Sequence, residues 1–300
     1  EMSASLVGSE MCIRDRGGCQ LILYIKTLSG NTKKIHITSD LGSSYNKSPF
    51  VLERDYVKSS SVSIVEGTYN DLERGFKSKK QVEKERIKLK EIIKKELSKN
   101  KRILFGAFAQ SRTQNLMIYL YECFKDDPNF DTKIYIDGKL CHSITNAYLE
   151  ILQGEEKEYF RGVLNWKNFI YVKDYQDSLS VATNNEKKIV ISGGGMYTQG
   201  RILNHLKTMV EDKDSTIIMV GYCGIGTIGR ELQRKDNKTI KIEGLEYKKK
   251  CKIYEMNTWS SHIMANENID FMLHINTPLI LIHHSDKAVS YTHLTLPTIA

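Results

Sequence analysis

SGGGMYTQGR, at Ser192–Arg201, and GYCGIGTIGR, at Gly221–Arg230, each join an apolar run to a helical one. The run before the first is KIVIS (Lys188–Ser192) and the run before the second is STIIMVG (Ser215–Gly221). Both read as strands, and the residues after the turns read as helices, one from about Gln199 to Glu211 and a short one near Thr227–Gln233. The same alternation continues upstream. Ile103–Ala107 is a strand followed by a helix over Ser111–Lys125. Lys133–Ile136 is a strand followed by a helix over Leu140–Leu152, and Phe169–Val172 reads as a further strand. Before all of these, Lys79–Lys99 places Val82, Leu89, Ile92, Ile93 and Leu97 at helical spacing. Strands alternating with helices predict βαβ units and a mostly parallel sheet.

The flanks have a different texture. Cys19–Lys26, Lys34–Thr38 and Ser61–Val65 are short β-rich runs bounded by turn residues. The far end returns to strand (Lys252–Glu255), helix (His262–Leu273) and strand (Leu279–Ile282). An α/β block of about 180 residues is therefore expected inside a second, strand-rich framework.

Composition narrows the class. The 300 residues are 40% hydrophobic and 27% charged, which excludes a disordered or collagen-like chain. No apolar run approaches the roughly 18 residues of a membrane helix, so no membrane partner is expected. Six scattered cysteines without a CxxC pair predict a reduced, cytoplasmic protein. The net charge is +8, and Lys77–Arg102 alone, with twelve basic and four acidic residues, carries all of it. Such a segment is either a solvated helix face or a phosphate-attracting surface.

Four ionisable residues share one placement. Asp40 follows the strand at 34–38, Glu66 follows SVSIV, His262 follows the strand at 252–255, and His283 follows LILI. Sites in α/β sheets form at the carboxyl ends of strands. Two carboxylates and two histidines there can bind metal or work as an acid–base pair; singly, each is more often a turn former, a cap or a structural histidine. Gly224–Gly229 is a formal GxGxxG, but only a short helix and a strand follow it. A dinucleotide fold asks for a longer helix and an acidic residue about 20 positions on, so no nucleotide cofactor is expected.

In order, these segments resemble the β-CASP branch of the metallo-β-lactamase superfamily, the group of ribonuclease J-like enzymes and the cleavage-and-polyadenylation endonuclease. SDLG (39–42) resembles the GD-G motif, EGTY (66–69) the EST-Y motif, and ILFGAFAQSRTQ (103–114) the first β-CASP strand with its phenylalanine–arginine turn. The two glycine segments resemble the S-GM--GR and GY---GT-GR signatures, SSH (260–262) the next motif and LIHH (281–284) the last. The resemblance implies an α/β fold: a partial metallo-β-lactamase αββα sandwich over 17–75 and 255–287, with a β-CASP domain inserted at 76–254. The ends, 1–16 and 288–300, resemble translated sequencing-adapter read-through and are set aside as non-native.

The resemblance also implies roles. Asp40 and His283 are metal ligands, with Asp40 bridging two zinc ions, and His262, oriented by Glu66, is the general acid. His284 stands where the family commonly has glycine, which leaves open whether it is the ligand instead; Gly67 replaces a serine and Asn70 a glycine. A histidine in the last motif goes with RNA-acting members. The implied function is zinc-dependent cleavage of RNA phosphodiester bonds. The alternative is a non-catalytic subunit that binds RNA or a partner, and homo-oligomerisation is left open. No HxHxDH zinc motif occurs in the 300 residues, so the chain as given is expected to be inactive.

Overall fold

The computed structural model describes residues 10–13, 19–46, 54–69, 78–99, 101–256, 259 and 262–285. Asn70, Lys77, Ser260, Ser261 and, apart from 10–13, the two terminal segments set aside above lie outside the described residues. The chain divides into two compact units, one of Glu1–Gln81 with Ser260–Ala300 and one of Val82–Trp259.

The chain opens with strands β1 (Glu10–Ile13), β2 (Cys19–Lys26), β3 (Thr32–Thr38) and β4 (Val62–Glu66). Helix α1 (Lys79–Leu97) leads to β5 (Arg102–Ala107), α2 (Arg112–Phe124), β6 (Lys133–Asp137), α3 (Lys139–Ile151), α4 (Gly154–Leu164) and β7 (Phe169–Val172). Then come α5 (Tyr175–Thr183), β8 (Lys188–Gly193), α6 (Ile202–Met209), β9 (Ser215–Met219) and α7 (Ile228–Gln233). A hairpin of β10 (Thr239–Ile242) and β11 (Leu245–Lys248) precedes β12 (Lys252–Glu255), and the chain ends in α8 (Ala265–Ile275) and β13 (Ile280–His283).

The larger unit holds a six-stranded sheet in the order β12-β9-β5-β8-β6-β7. Every neighbouring pair is parallel. Its central strands β5 and β9 are buried from end to end, which is why their sequences lack a polar face: a parallel sheet is covered on both sides by its crossover helices. Two helices escaped the sequence pattern. Over its length α4 buries only Phe160 and Val163, and α5 only Ser178 and Ala182, too few apolar positions to set a period. The β10–β11 hairpin turns through Glu243 and Gly244, both at positive φ (49° and 83°), as two-residue hairpin loops require.

Helix α1 is fixed by a charge placed on its buried side. Glu96 is fully buried, and its carboxylate takes Lys252 Nζ at 3.0 Å, Lys101 Nζ at 3.4 Å and the Tyr254 hydroxyl at 3.2 Å. Burial pushes this carboxyl up, but the Lys252 hydrogen bond and the charges of Lys252 and Lys101 hold it below its ordinary value. The glycine signature after β8 is a packing device in part. Tyr197 is fully buried, and its hydroxyl accepts the Gly106 N–H at 2.9 Å. A Cβ on Gly106 would lie 2.5 Å from the Tyr197 ring, so only glycine fits there.

The smaller unit has one sheet among the described residues, ordered β1-β2-β3-β4-β13. β1 to β3 pair antiparallel, whereas β3, β4 and β13 run parallel. Phe271, Met272 and Ile275 of α8 share a core with Leu41, Val65 and Ile263. A polar thread runs through this sheet. Fully buried His36 accepts at Nε2 from the Gln20 amide (2.8 Å) and lies 3.3 Å from Ser63 Oγ through Nδ1; Ser63 in turn meets Thr277 Oγ1 at 2.9 Å.

Burial, reinforced by the charge of Lys34, lowers the His36 pKa from 6.5 to about 4. Folded and unfolded chains both hold it neutral above about pH 7. As the pH falls through 6.5 toward 4, the unfolded chain gains a proton that the folded chain refuses, so stability is lost in that window. The expected loss is about 2 kcal/mol between pH 7 and pH 5. Urea titrations of the wild type and His36→Asn at both pH values check this: the variant should lack that increment.

Candidate active site

The parallel register of the smaller unit brings three strand ends into one row. β3 pairs with β4 through Ile37 opposite Ile64, and β4 with β13 through Glu66 opposite His283. Asp40 lies two residues beyond the end of β3, Glu66 ends β4, and His283 ends β13. His262 enters from the segment just before α8. Asp40, Glu66 and His262 each have a core neighbour in the chain: Leu41, Val65 and Ile263.

Glu66 is the hub, and it is fully buried. Its Oε1 accepts the Leu41 N–H at 2.6 Å and the Ile263 N–H at 3.2 Å. Its Oε2 accepts His262 Nδ1–H at 2.8 Å. Its main chain is held as well, with the N–H donating to Thr38 Oγ1 (3.0 Å) and the carbonyl accepting Asn268 Nδ2 (2.7 Å). The carboxylate thereby joins the loop after β3 to the entrance of α8. Arg54 reinforces that joint: its guanidinium donates to Gly42 O (2.6 Å) and pairs with Glu267 in the first turn of α8 (3.1 Å).

Asp40 is half-buried, with Oδ1 3.5 Å from His262 Nδ1. Burial raises its carboxyl above the usual carboxylate range; the His262 charge opposes the rise and the Glu66 charge adds to it. The Tyr69 ring stands edge-on to His262 at 5.8 Å.

The two adjacent histidines part company. His283 Nε2 donates to the Thr38 carbonyl at 2.9 Å. It is His284 that joins Asp40 and His262 in a group whose candidate ligand atoms lie within 4.8 Å of one another. His284 takes φ 57°, the left-handed region that glycine adopts without cost. Thr68 secures it, its hydroxyl lying 3.1 Å from both the His284 carbonyl and Nδ1. The hydroxyl has a single proton. Given to the carbonyl, it leaves a lone pair to accept Nδ1–H, which puts the free lone pair of His284 on Nε2.

Imidazole and carboxylate donors suit zinc. Ligand atoms around tetrahedral zinc are about 3.4 Å apart, inside the 4.8 Å spread of this group. Thr38, Thr68 and Asn268 were not singled out in the sequence. Each is one polar residue without a spacing pattern, and only the pairing of strands gives it a partner.

Residues 113–232 match the model of the Beta-Casp domain. Among curated proteins the chain is 25% identical over 230 residues to Ribonuclease TTHA0252 of Thermus thermophilus, covering 75% of this chain and 51% of that one. It is 28% identical over 236 residues to Transcription termination factor FttA of Methanothermobacter thermautotrophicus, covering 75% and 36%. It is 22% identical over 241 residues to Endoribonuclease YSH1 of Eremothecium gossypii, covering 76% and 30%. The chain thus spans about half the length of these relatives, or less.

Glu66→Gln is expected to unfold the smaller unit more easily, by about 1–3 kcal/mol. The amide cannot accept from Leu41, Ile263 and His262 together, because one of its two ends is a donor. Denaturant titration measures the loss, and the Nδ1 proton resonance of His262 should shift upfield as its carboxylate partner disappears.

Proposed function

We propose that the chain belongs to the β-CASP branch of the metallo-β-lactamase superfamily, which its Beta-Casp domain match and its relatives support, and that its site serves zinc-dependent hydrolysis of RNA phosphodiester bonds. The observation that carries this reading is the buried Glu66 carboxylate on His262 Nδ1, with Asp40 beside the same ring. Relatives named as ribonuclease and endoribonuclease support the substrate class.

In this reading Asp40 and His284 hold metal, and His283, the ligand that the resemblance implies, braces the end of β3 through Thr38. Bound zinc would supply a nucleophile by lowering the pKa of water toward neutrality. His262 handles the other proton. With Nδ1–H given to Glu66, Nε2 is the nitrogen that exchanges a proton with the leaving ribose oxygen. Glu66 stabilises the imidazolium form and holds the ring in place, as carboxylates behind functional histidines do.

With His262 kept for proton transfer, Asp40 and His284 are the two donors of this group left for metal, and the 300 residues hold no HxHxDH. For this chain we expect fewer than two zinc ions and negligible RNA turnover. Elemental analysis finding two ions per chain, together with turnover on single-stranded RNA, would overturn that expectation. If RNA is bound tightly but not cut even when HxHxDH precedes Gly17, the non-catalytic alternative holds.

In a form carrying HxHxDH ahead of Gly17, His262→Ala should cut turnover by about 100-fold or more while zinc content stays near wild type. Asp40→Ala should lower both. His284→Ala should lower zinc content more than His283→Ala. Equal zinc loss in the His262 and Asp40 variants would show that the roles are wrongly divided.

A further inference from the structure

The larger unit carries a half-exposed aromatic ring at the place in its sheet where ligands are usually bound. Phe108 directly follows β5, and β5 lies between β9 and β8. From β5 the chain crosses toward β6 on one side, whereas from β8 and β9 it crosses toward β9 and β12 on the other. Right-handed crossovers in opposite directions send the following helices to opposite faces of the sheet. The loops after β5 and after its two neighbours therefore diverge, and the carboxyl edge at β5 is a topological switch point, the position of the ligand crevice in open α/β sheets.

Phe108 lies across that opening. A Cβ on Gly195, in the loop after β8, would be 3.1 Å from its ring, and one on Gly221, in the loop after β9, would be 3.6 Å from it. The ring thus rests on bare glycine backbone on one side. It remains 40% exposed, and Tyr222 beside Gly221 is 51% exposed. An aromatic ring supported from below and open above is a stacking surface.

Charge identifies what it would stack. The three loops, 108–112, 193–201 and 220–230, contain Arg112, Arg201 and Arg230 and no Asp, Glu or Lys. Arg230 is exposed. Arg112 is buried, its guanidinium donating to the Val220 and Trp259 carbonyls. Arg201 is ion-paired with Asp137 at 3.0 Å, which leaves Arg230 as the exposed cation of these loops; an aromatic platform whose loops carry cations and no carboxylate of their own matches a polyanion with flat, unpaired bases.

We propose that Phe108 is a base-stacking contact for single-stranded RNA, a specificity element for unpaired over paired strands. This rests on the reading of the protein as RNA-acting, and it adds a contact that does no chemistry. A base on the ring is held by its π-face and not by its edge, so the contact tolerates any base but requires one.

The test is equilibrium binding of labelled oligoadenylate at fixed salt, followed by fluorescence anisotropy, with the full chain and no added metal. Phe108→Leu keeps apolar cover over Gly195 and Gly221 but removes the π-face, and it should weaken binding about ten-fold. Phe108→Tyr should bind within about two-fold of wild type, because it keeps the π-face. An abasic oligomer of equal length should bind wild type and Phe108→Leu alike. Equal oligoadenylate affinity of wild type and Phe108→Leu would overturn the stacking contact and leave the RNA reading standing. Failure of the wild-type chain to bind oligoadenylate at all would overturn both. Thermal melting of each variant separates lost stacking from lost fold, and a Phe108→Leu protein that binds weakly only because it has melted also counts against the proposal.

Discussion

One buried carboxylate organises the smaller unit. Glu66 has no exposure to solvent and would be costly there without partners. Two backbone N–H groups and a histidine ring surround its oxygens, and its own main chain is bonded on both sides. Those bonds reach a loop near residue 41 and another near residue 263, so the charge fixes the spacing between chain segments far apart in sequence. The same bonds aim His262. Structural and chemical demands therefore fall on one side chain: the carboxylate that pins the loops is also the one that chooses the tautomer of the proposed acid.

The larger unit solves a different problem with different means. Its sheet needs no ionic organiser, because β5, β8 and β9 are packed on both faces by apolar side chains. Two buried carboxylates enter it with partners of opposite charge. Glu96 draws Lys101 and Lys252 to the buried side of α1, and Asp137 at the end of β6 gathers Arg201, His205 and the Ser178 hydroxyl. The second cluster ties the glycine-rich segment after β8 back to the sheet. The arginine of that signature accordingly has a packing partner before any ligand is considered.

Much of this was legible in the residues. The largely apolar runs at 103–107, 188–192 and 215–219 read as strands of a covered sheet, and the positions of Asp40, Glu66 and His262 after strands marked a common edge. The choice between His283 and His284 was not legible. Side chains alternate along a strand, so two adjacent histidines at its end face different surroundings, and the residues alone do not say what each one meets. Here the last strand residue turns to Thr38 and the next, at positive φ, turns to Asp40. α4 and α5 stayed hidden because each has only two buried positions. The second strand of the hairpin, LEYK, carries a single apolar residue besides its tyrosine.

The parallel pairing of β13 with β4 joins His283 to Glu66 across the whole of the larger unit. During synthesis β4 is made long before its partner and waits with an open edge of main-chain donors and acceptors. Closing such a distant pair is entropically expensive while the intervening chain is loose. If the insert folds first, the span left to be closed is far shorter. Speed of maturation, and escape from edge-to-edge aggregation in the meantime, would then be governed by how quickly residues 82–259 become compact, even though none of them belongs to the sheet being completed.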